Sequence, residues 1–171
     1  MAGLASQTDN EELLPTFTNY GRSAGAVGSL IKIYDGPIVP AATGADTVLV
    51  VFTLPADFFN QSTGATIFIK VLAHLLNATS KTIKIIYNPT AAVVGSTVTG
   101  GTTLASSAAV TTNGGVSLNA FVNKVGIPNS NTQFGGADIS QVVGVTPSLG
   151  AGAALTAVEN APILIAITGN A

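Results

Sequence analysis

The sequence contains no cysteine, no tryptophan and a single histidine, His74. The absence of cysteine excludes disulfide bonds, thiolate metal sites and thiol nucleophiles. The first residues show neither the basic segment nor the apolar segment of a secretory signal, and the apolar runs are too short to span a bilayer. We therefore expect a soluble protein that is made in the cytoplasm and does not contact a membrane.

Charge is also scarce. Only 8% of the 171 residues are charged, compared with roughly 25% in an ordinary soluble domain. Six basic and eight acidic residues give a net charge of -2, so the chain lacks the basic patch that attracts nucleic acid or an anionic surface. We expect no nucleic-acid partner.

The composition is nevertheless 47% apolar. A monomer with so few charges would expose a large, poorly solvated surface, which favours burial of part of that surface in an oligomer or a larger assembly. We expect much of the remaining surface to consist of Thr, Ser, Asn and Gly. The alternative is a monomeric, uncharged β protein of the extracellular type; we favour the assembly.

The stretch from Gly64 to Pro89 has the clearest pattern in the chain. Apolar residues recur with period two on both sides of the short polar segment Asn77 to Ser80, which is typical of two strands joined by a turn. Both faces of these strands carry apolar residues. We therefore predict a central antiparallel hairpin, with the remaining strands arranged around it.

Similar patterns predict strands elsewhere, and no segment has the periodicity of a helix. The further predicted strands cover residues 30–34, 46–54, 102–104, 116–125, 141–145, 153–158 and 162–168. The last of these is apolar on both faces and should lie inside a sheet. The fold expected for residues 31–171 is an all-β, antiparallel jelly-roll sandwich of about eight strands.

Residues 1–30 show no period and are predicted to form an extended N-terminal arm. The alternative is disorder in the free protein. We favour docking of the arm on its own domain or on a neighbouring subunit, because its apolar residues would otherwise have no role. The four anchor residues are Leu13, Leu14, Phe17 and Tyr20.

The chain has few candidates for chemistry. His74 is the only histidine available to a catalytic triad, and no nucleophile motif surrounds any serine. The carboxylates are not clustered as a calcium site or a glycosidase pair would require. We expect a hydrogen-bonded His74 at a strand end, no catalytic, cofactor or metal site, and no enzymatic activity.

A resemblance emerges from the order of the motifs. The chain runs from Leu54-Pro55-Ala56 through GATIFIKVLAHLLN, then Lys81, a long loop, NGGVSLNAFVNKVG from Asn113, Asn131-Thr132-Gln133 and an apolar final strand. This order resembles the jelly-roll domains of tailed-bacteriophage virion proteins, which include head decoration (cement) proteins and head or tail fibre modules. The similarity covers roughly residues 46–169.

The resemblance implies a structural virion protein, commonly trimeric and without a cofactor. Such a decoration protein would sit on the capsid surface and clamp neighbouring major capsid subunits, with the four arm residues as the contact to the capsid or to a neighbouring subunit. The alternative within the same group is a tail or fibre module that binds a host receptor or glycan.

Overall fold

The computed structural model describes residues 44–60, 64–75, 80–110, 113–141 and 148–170. These residues contain eight β-strands and no helix. They form two four-stranded antiparallel sheets, and the all-β prediction is confirmed. The predicted strand at 30–34 and the arm at 1–30 lie outside the described residues. The strands are β1 (Thr47–Leu54), β2 (Thr66–Leu75), β3 (Thr82–Tyr87), β4 (Thr102–Ser106), β5 (Gly114–Lys124), β6 (Gln133–Gln141), β7 (Ser148–Leu155) and β8 (Ile163–Asn170).

One sheet has the strand order β1-β8-β3-β4, and the other has the order β2-β5-β6-β7. The final strand β8 lies between β1 and β3, as its apolar character predicts. In β5 every second side chain is buried from Gly114 to Lys124, so this strand covers the core with one face and reaches the surface with the other. No helix in the described part of the chain is long and apolar enough to cross a membrane.

The predicted central hairpin is wrong. β2 pairs with β5, from Thr66 opposite Asn123 to Leu75 opposite Gly114, whereas β3 pairs with β4 and β8 in the other sheet. The alternation identified both strands correctly, but it placed them side by side in one sheet, whereas they belong to different sheets. Period two tells which side chains share a face and does not identify the neighbouring strand.

Several other predicted strands differ in extent. The strand at 102–104 is confirmed as β4, which extends to Ser106. β6, Gln133–Gln141, was not predicted as a strand; the strand predicted at 141–145 has only its first residue among the described residues, as the last residue of β6. The strand predicted at 153–158 is displaced, because β7 covers Ser148–Leu155. These segments are rich in Gly, Ala and Ser, whose small side chains carry little periodic signal.

The loop between β3 and β4 covers the beginning of β1. Val48 N donates to Ser96 O at 2.8 Å, and Val98 N donates to Asp46 O at 2.9 Å. Val48 packs with Ile86 and Ala166 in a buried cluster, which Val98 also contacts. The loop thereby pairs the start of an edge strand that would otherwise expose its backbone groups.

Engineered disulfides distinguish the observed pairing from a hairpin. Leu72 and Ser117 are directly opposite in β2 and β5, at the Cα spacing that a disulfide bridges. We expect the Leu72→Cys/Ser117→Cys variant to form a disulfide within one chain, detected by mass spectrometry under non-reducing conditions. The control, Leu72→Cys/Ile85→Cys, joins two positions that would face each other in a hairpin with its turn at 77–80. Its second thiol lies on β3 in the other sheet, so it should stay reduced. A disulfide that forms only in the control variant would contradict the observed pairing and support the predicted hairpin.

Candidate functional site

The residues predicted from the sequence to form a contact site, Leu13, Leu14, Phe17 and Tyr20, all lie outside the described residues. His74 is exposed on β2. Within the described ranges no three His, Asp, Glu or Cys side chains come together in a way that could hold a metal ion. Three other features remain as candidates: a buried polar network, a set of linked loops and an aromatic sheet face.

The buried network centres on an ion pair that the sequence analysis missed. Lys124 Nζ lies 2.5 Å from Glu159 Oε1, and both side chains are completely buried. Placing two charges in the protein interior costs several kcal/mol per ion, which the mutual attraction and further hydrogen bonds must offset. Lys124 Nζ also donates to Ser130 Oγ at 2.6 Å.

Gln133 is the third member of this network. It lies directly opposite Lys124 in the β5-β6 pair, and its side-chain Nε2 donates to Glu159 Oε1 at 2.6 Å. The amide is also held by the backbone of Ala157: Nε2 donates to Ala157 O at 3.1 Å, and Ala157 N donates to Gln133 Oε1 at 2.9 Å. A single carboxylate oxygen therefore bridges a lysine and an amide, both buried.

Part of this network had a signal in the sequence. Lys124 continues the period-two series of Val116, Leu118, Ala120 and Val122, so its parity alone places it on the inner face of β5. Glu159 lies in the loop after β7, where no periodicity applies. Its position opposite Lys124 depends on the path of that loop and could not be read from the sequence.

Three loops meet at the end of the sandwich where the network lies. We call this the loop end: residues 55–60, 125–132 and 156–162. Asp57 N donates to Glu159 O at 2.8 Å. Asn60 Nδ2 donates to Asn129 Oδ1 at 2.8 Å, and Asn129 N donates to Asn60 Oδ1 at 2.7 Å. These bonds join the first loop to the other two.

The backbone of the loop end adopts unusual conformations. Asp57, Asn129 and Asn131 have positive φ angles of 64°, 61° and 51°, in the left-handed region that Asn and Asp tolerate better than other residues with a side chain. Asn131 Oδ1 accepts from Glu159 N at 3.0 Å. The loop shapes are thus fixed both locally and by contacts between loops.

Apolar side chains project from the loop end. Ile127 is 74% exposed, and Val125 and Val158 are each more than half exposed. Each of them is within three residues of Lys124 or Glu159 along the chain, so rigid segments present them to solvent. Exposed apolar residues on a fixed scaffold are a feature of contact surfaces.

A second exposed apolar surface lies on the outer side of the β2-β5-β6-β7 sheet. We call it the aromatic face: Phe68, Phe121 and Phe134. Phe68 is 83% exposed, and the rings of Phe121 and Phe134 lie 6.2 Å apart. Two glycines make room for these rings, because a Cβ atom at Gly136 would come within 2.8 Å of the Phe121 ring and one at Gly152 within 2.1 Å of the Phe134 ring.

The aromatic face ends at an open sheet edge. β2 is ten residues long, and no strand among the described residues pairs with its outer side. Leu72, 71% exposed, lies two positions beyond the exposed Lys70 on the same side as Phe68. Long edge strands without proline or a bulge can pair with another chain.

No protein-family model, curated protein or solved structure matches this chain.

The hydrogen bonds between Asn60 and Asn129 should stabilise the fold by a measurable amount. Removing the side chain in Asn60→Ala should lower the free energy of unfolding by about 1–3 kcal/mol, because several hydrogen bonds worth roughly 1 kcal/mol each are lost. Urea denaturation is the measurement. The same change at Asn119, on the outer face of β5 away from the loop end, is the control. Equal stability of the Asn60→Ala variant and the wild type would contradict the linked-loop description.

The buried Tyr87 should make the stability of the fold depend on pH in the alkaline range. Its side chain is buried, and Oη has no hydrogen-bond partner among the described residues. Burial, and then the charge of Glu159, raise the pKa of Tyr87 above its ordinary value of 10.0. The unfolded chain therefore loses this proton first, so the contribution of Tyr87 is complete below about pH 10 and is lost as pH rises toward the raised pKa.

The variant Tyr87→Phe isolates this effect. It should match or slightly exceed the wild type in stability at pH 7, because it removes an unpaired buried hydroxyl. Above about pH 10 it should lose less stability than the wild type. Parallel denaturation curves at pH 7 and pH 10.5 test both points. If the two proteins lose the same free energy of unfolding between pH 7 and pH 10.5, the contribution assigned to Tyr87 is wrong.

Proposed function

We propose that this chain is a structural protein of a tailed-bacteriophage virion. In this proposal it is a capsid decoration or cement protein that trimerises, sits on the capsid surface and stabilises the head by clamping neighbouring major capsid subunits. It is made in the host cytoplasm, needs no cofactor and catalyses no reaction on an external substrate. The order of motifs across residues 46–169 supports this family.

The observation that carries the proposal is the aromatic face with its adjoining open edge. Phe68 and Leu72 are large apolar side chains that are more than two thirds exposed, in a chain with only 8% charged residues. Burying a side chain of this size is worth about 1.5–3 kcal/mol. Contact with other subunits would recover this energy, and we assign self-association to this surface.

The fold we propose is a variant of the jelly roll. Its support is the neighbouring position of the first and last strands, β1 and β8, with β3 on the other side of β8, together with chain crossings between the sheets. The β3-β4 hairpin and the β5-β6-β7 meander replace sheet exchanges that a standard jelly roll makes at those points.

The loop end suits contact with the shell. Hydrogen bonds and the buried ion pair hold its three loops in place, so Ile127, Val125 and Val158 would lose little conformational freedom on binding. In the proposal, the arm residues Leu13, Leu14, Phe17 and Tyr20 add contacts to the same neighbours. An interface that exists only in the assembled head stabilises that head by mass action.

A second candidate is a tail or fibre module that binds a glycan. The aromatic face favours it, because Phe121 and Phe134 lie on an open sheet face next to polar side chains such as Asn119 and Asp138. Aromatic rings beside hydrogen-bonding groups are suited to stack against a sugar. This candidate predicts glycan binding that is lost in Phe134→Ala while the oligomeric state is kept.

Light scattering and co-sedimentation test the leading proposal. We expect the full-length chain to be a trimer that sediments with undecorated heads of the phage that encodes it. Phe68→Ser/Leu72→Ser should weaken self-association about 10- to 100-fold or more, the equivalent of losing one buried aromatic contact. Replacing the four arm residues by serine should leave the trimer intact and reduce binding to heads.

Val93→Ser/Val94→Ser is the matched control, since both valines are more than half exposed in the β3-β4 loop, away from the surfaces assigned to contact. It should behave as the wild type. A monomeric chain that ignores heads would overturn the cement function, and glycan binding by that monomer would establish the second candidate.

A further inference from the structure

The buried network contains the three groups needed to form an amide cross-link: an amine, a carboxamide and a carboxyl group between them. Lys124 and Gln133 are cross-strand partners, and Glu159 Oε1 is 2.5 Å from Lys124 Nζ and 2.6 Å from Gln133 Nε2. All three residues are at most 2% exposed. We propose that Lys124 and Gln133 join autocatalytically in an intramolecular isopeptide bond, with Glu159 as the proton carrier. The proposal does not depend on the virion function.

The first step is a proton transfer within the ion pair. Lys124 Nζ gives a proton to Glu159 Oε1, which leaves a neutral amine and a neutral carboxylic acid. This transfer removes two charges from a site without access to water, where charges are costly. The unprotonated amine is the form that can act as a nucleophile.

In the second step, the Nζ lone pair attacks Gln133 Cδ, and the electrons of the C=O double bond move to Oε1. Ala157 N already donates to this oxygen at 2.9 Å. A backbone N–H in that position stabilises the negative charge that develops on the oxygen. The contacts from Ala157 also hold the carboxamide in a fixed orientation, since its O accepts from Gln133 Nε2.

In the third step, Glu159 passes its proton to Gln133 Nε2, and the bond between Cδ and Nε2 breaks to release ammonia. Glu159 then takes the remaining extra proton from Nζ and keeps it, so that no unpaired charge stays in the buried site. The products are a secondary amide between Lys124 and Gln133, ammonia and the neutral carboxylic acid of Glu159. Atoms and charge balance without an oxidant or an activated co-substrate.

The geometry gives each residue a different role. Ser130 Oγ accepts from Lys124 Nζ at 2.6 Å and so helps to orient the amine. Glu159 Oε2 has no hydrogen-bond partner among the described residues, which leaves the carboxyl group capacity for the proton it must carry. A purely structural ion pair would need no carboxamide fixed at the same oxygen.

Intact-mass spectrometry of the denatured full-length protein is the test. We expect the wild type to be lighter than its sequence by one ammonia. Chymotrypsin cleaves after Phe121 and Phe134, so the loss should localise to the peptide 122–134, which contains both Lys124 and Gln133. Trypsin should fail to cleave after Lys124. A wild type with the full sequence mass would overturn the proposal.

Single substitutions test the roles of Glu159 as proton carrier and of Lys124 as nucleophile. Glu159→Gln keeps the shape of the side chain but cannot carry the proton, and Lys124→Met removes the amine, so both should have the full sequence mass. Circular dichroism confirms that they fold. Lys84→Met, which removes the partly exposed partner of Asp46, is the control and should keep the loss.

One variant remains informative even if Lys124→Met does not fold. Gln133→Glu retains the carbon that is attacked, and its cross-link would release water instead of ammonia. Loss of ammonia that persists in Glu159→Gln, or that maps outside residues 122–134, would contradict the assigned chemistry. A wild type lighter by one water, with Lys124 joined to Glu159, would also contradict it.

Discussion

The ion pair between Lys124 and Glu159 is the interaction on which the end of the sandwich depends. It joins the last residue of β5 to the loop after β7, and the backbone of Glu159 in turn holds Asp57 in the loop after β1. Because both charges are buried, each requires the other: removing one partner from such a pair typically costs about 3–5 kcal/mol. Loops from both sheets are therefore coupled through one buried contact.

The described residues present two exposed apolar surfaces, the loop end and the aromatic face with its adjoining sheet edge. At the loop end, fixed loops present Ile127 and Val158 to solvent. On the side of the β2-β5-β6-β7 sheet, Phe68 and Leu72 lie along an edge with which no other described strand pairs, and two glycines let aromatic rings lie against the sheet. In a chain with so few charged residues, these exposed apolar surfaces are the basis of the proposed self-association.

The composition of the buried network is not explained by its contribution to stability. A hydrophobic replacement for a buried ion pair is often at least as stable, so stability alone does not explain why lysine, glutamate and glutamine meet at one carboxylate oxygen. A covalent bond between Lys124 and Gln133 would connect the ends of the long β5-β6 loop permanently.

The sequence by itself determined the all-β class and six of the eight strands to within a few residues, because period two is a local property of an extended chain. It did not determine that β2 pairs with β5 or that Glu159 reaches Lys124. Both depend on contacts between residues far apart in the chain, decided by which apolar faces cover one another. The tertiary structure alone therefore decided where the candidate site lies.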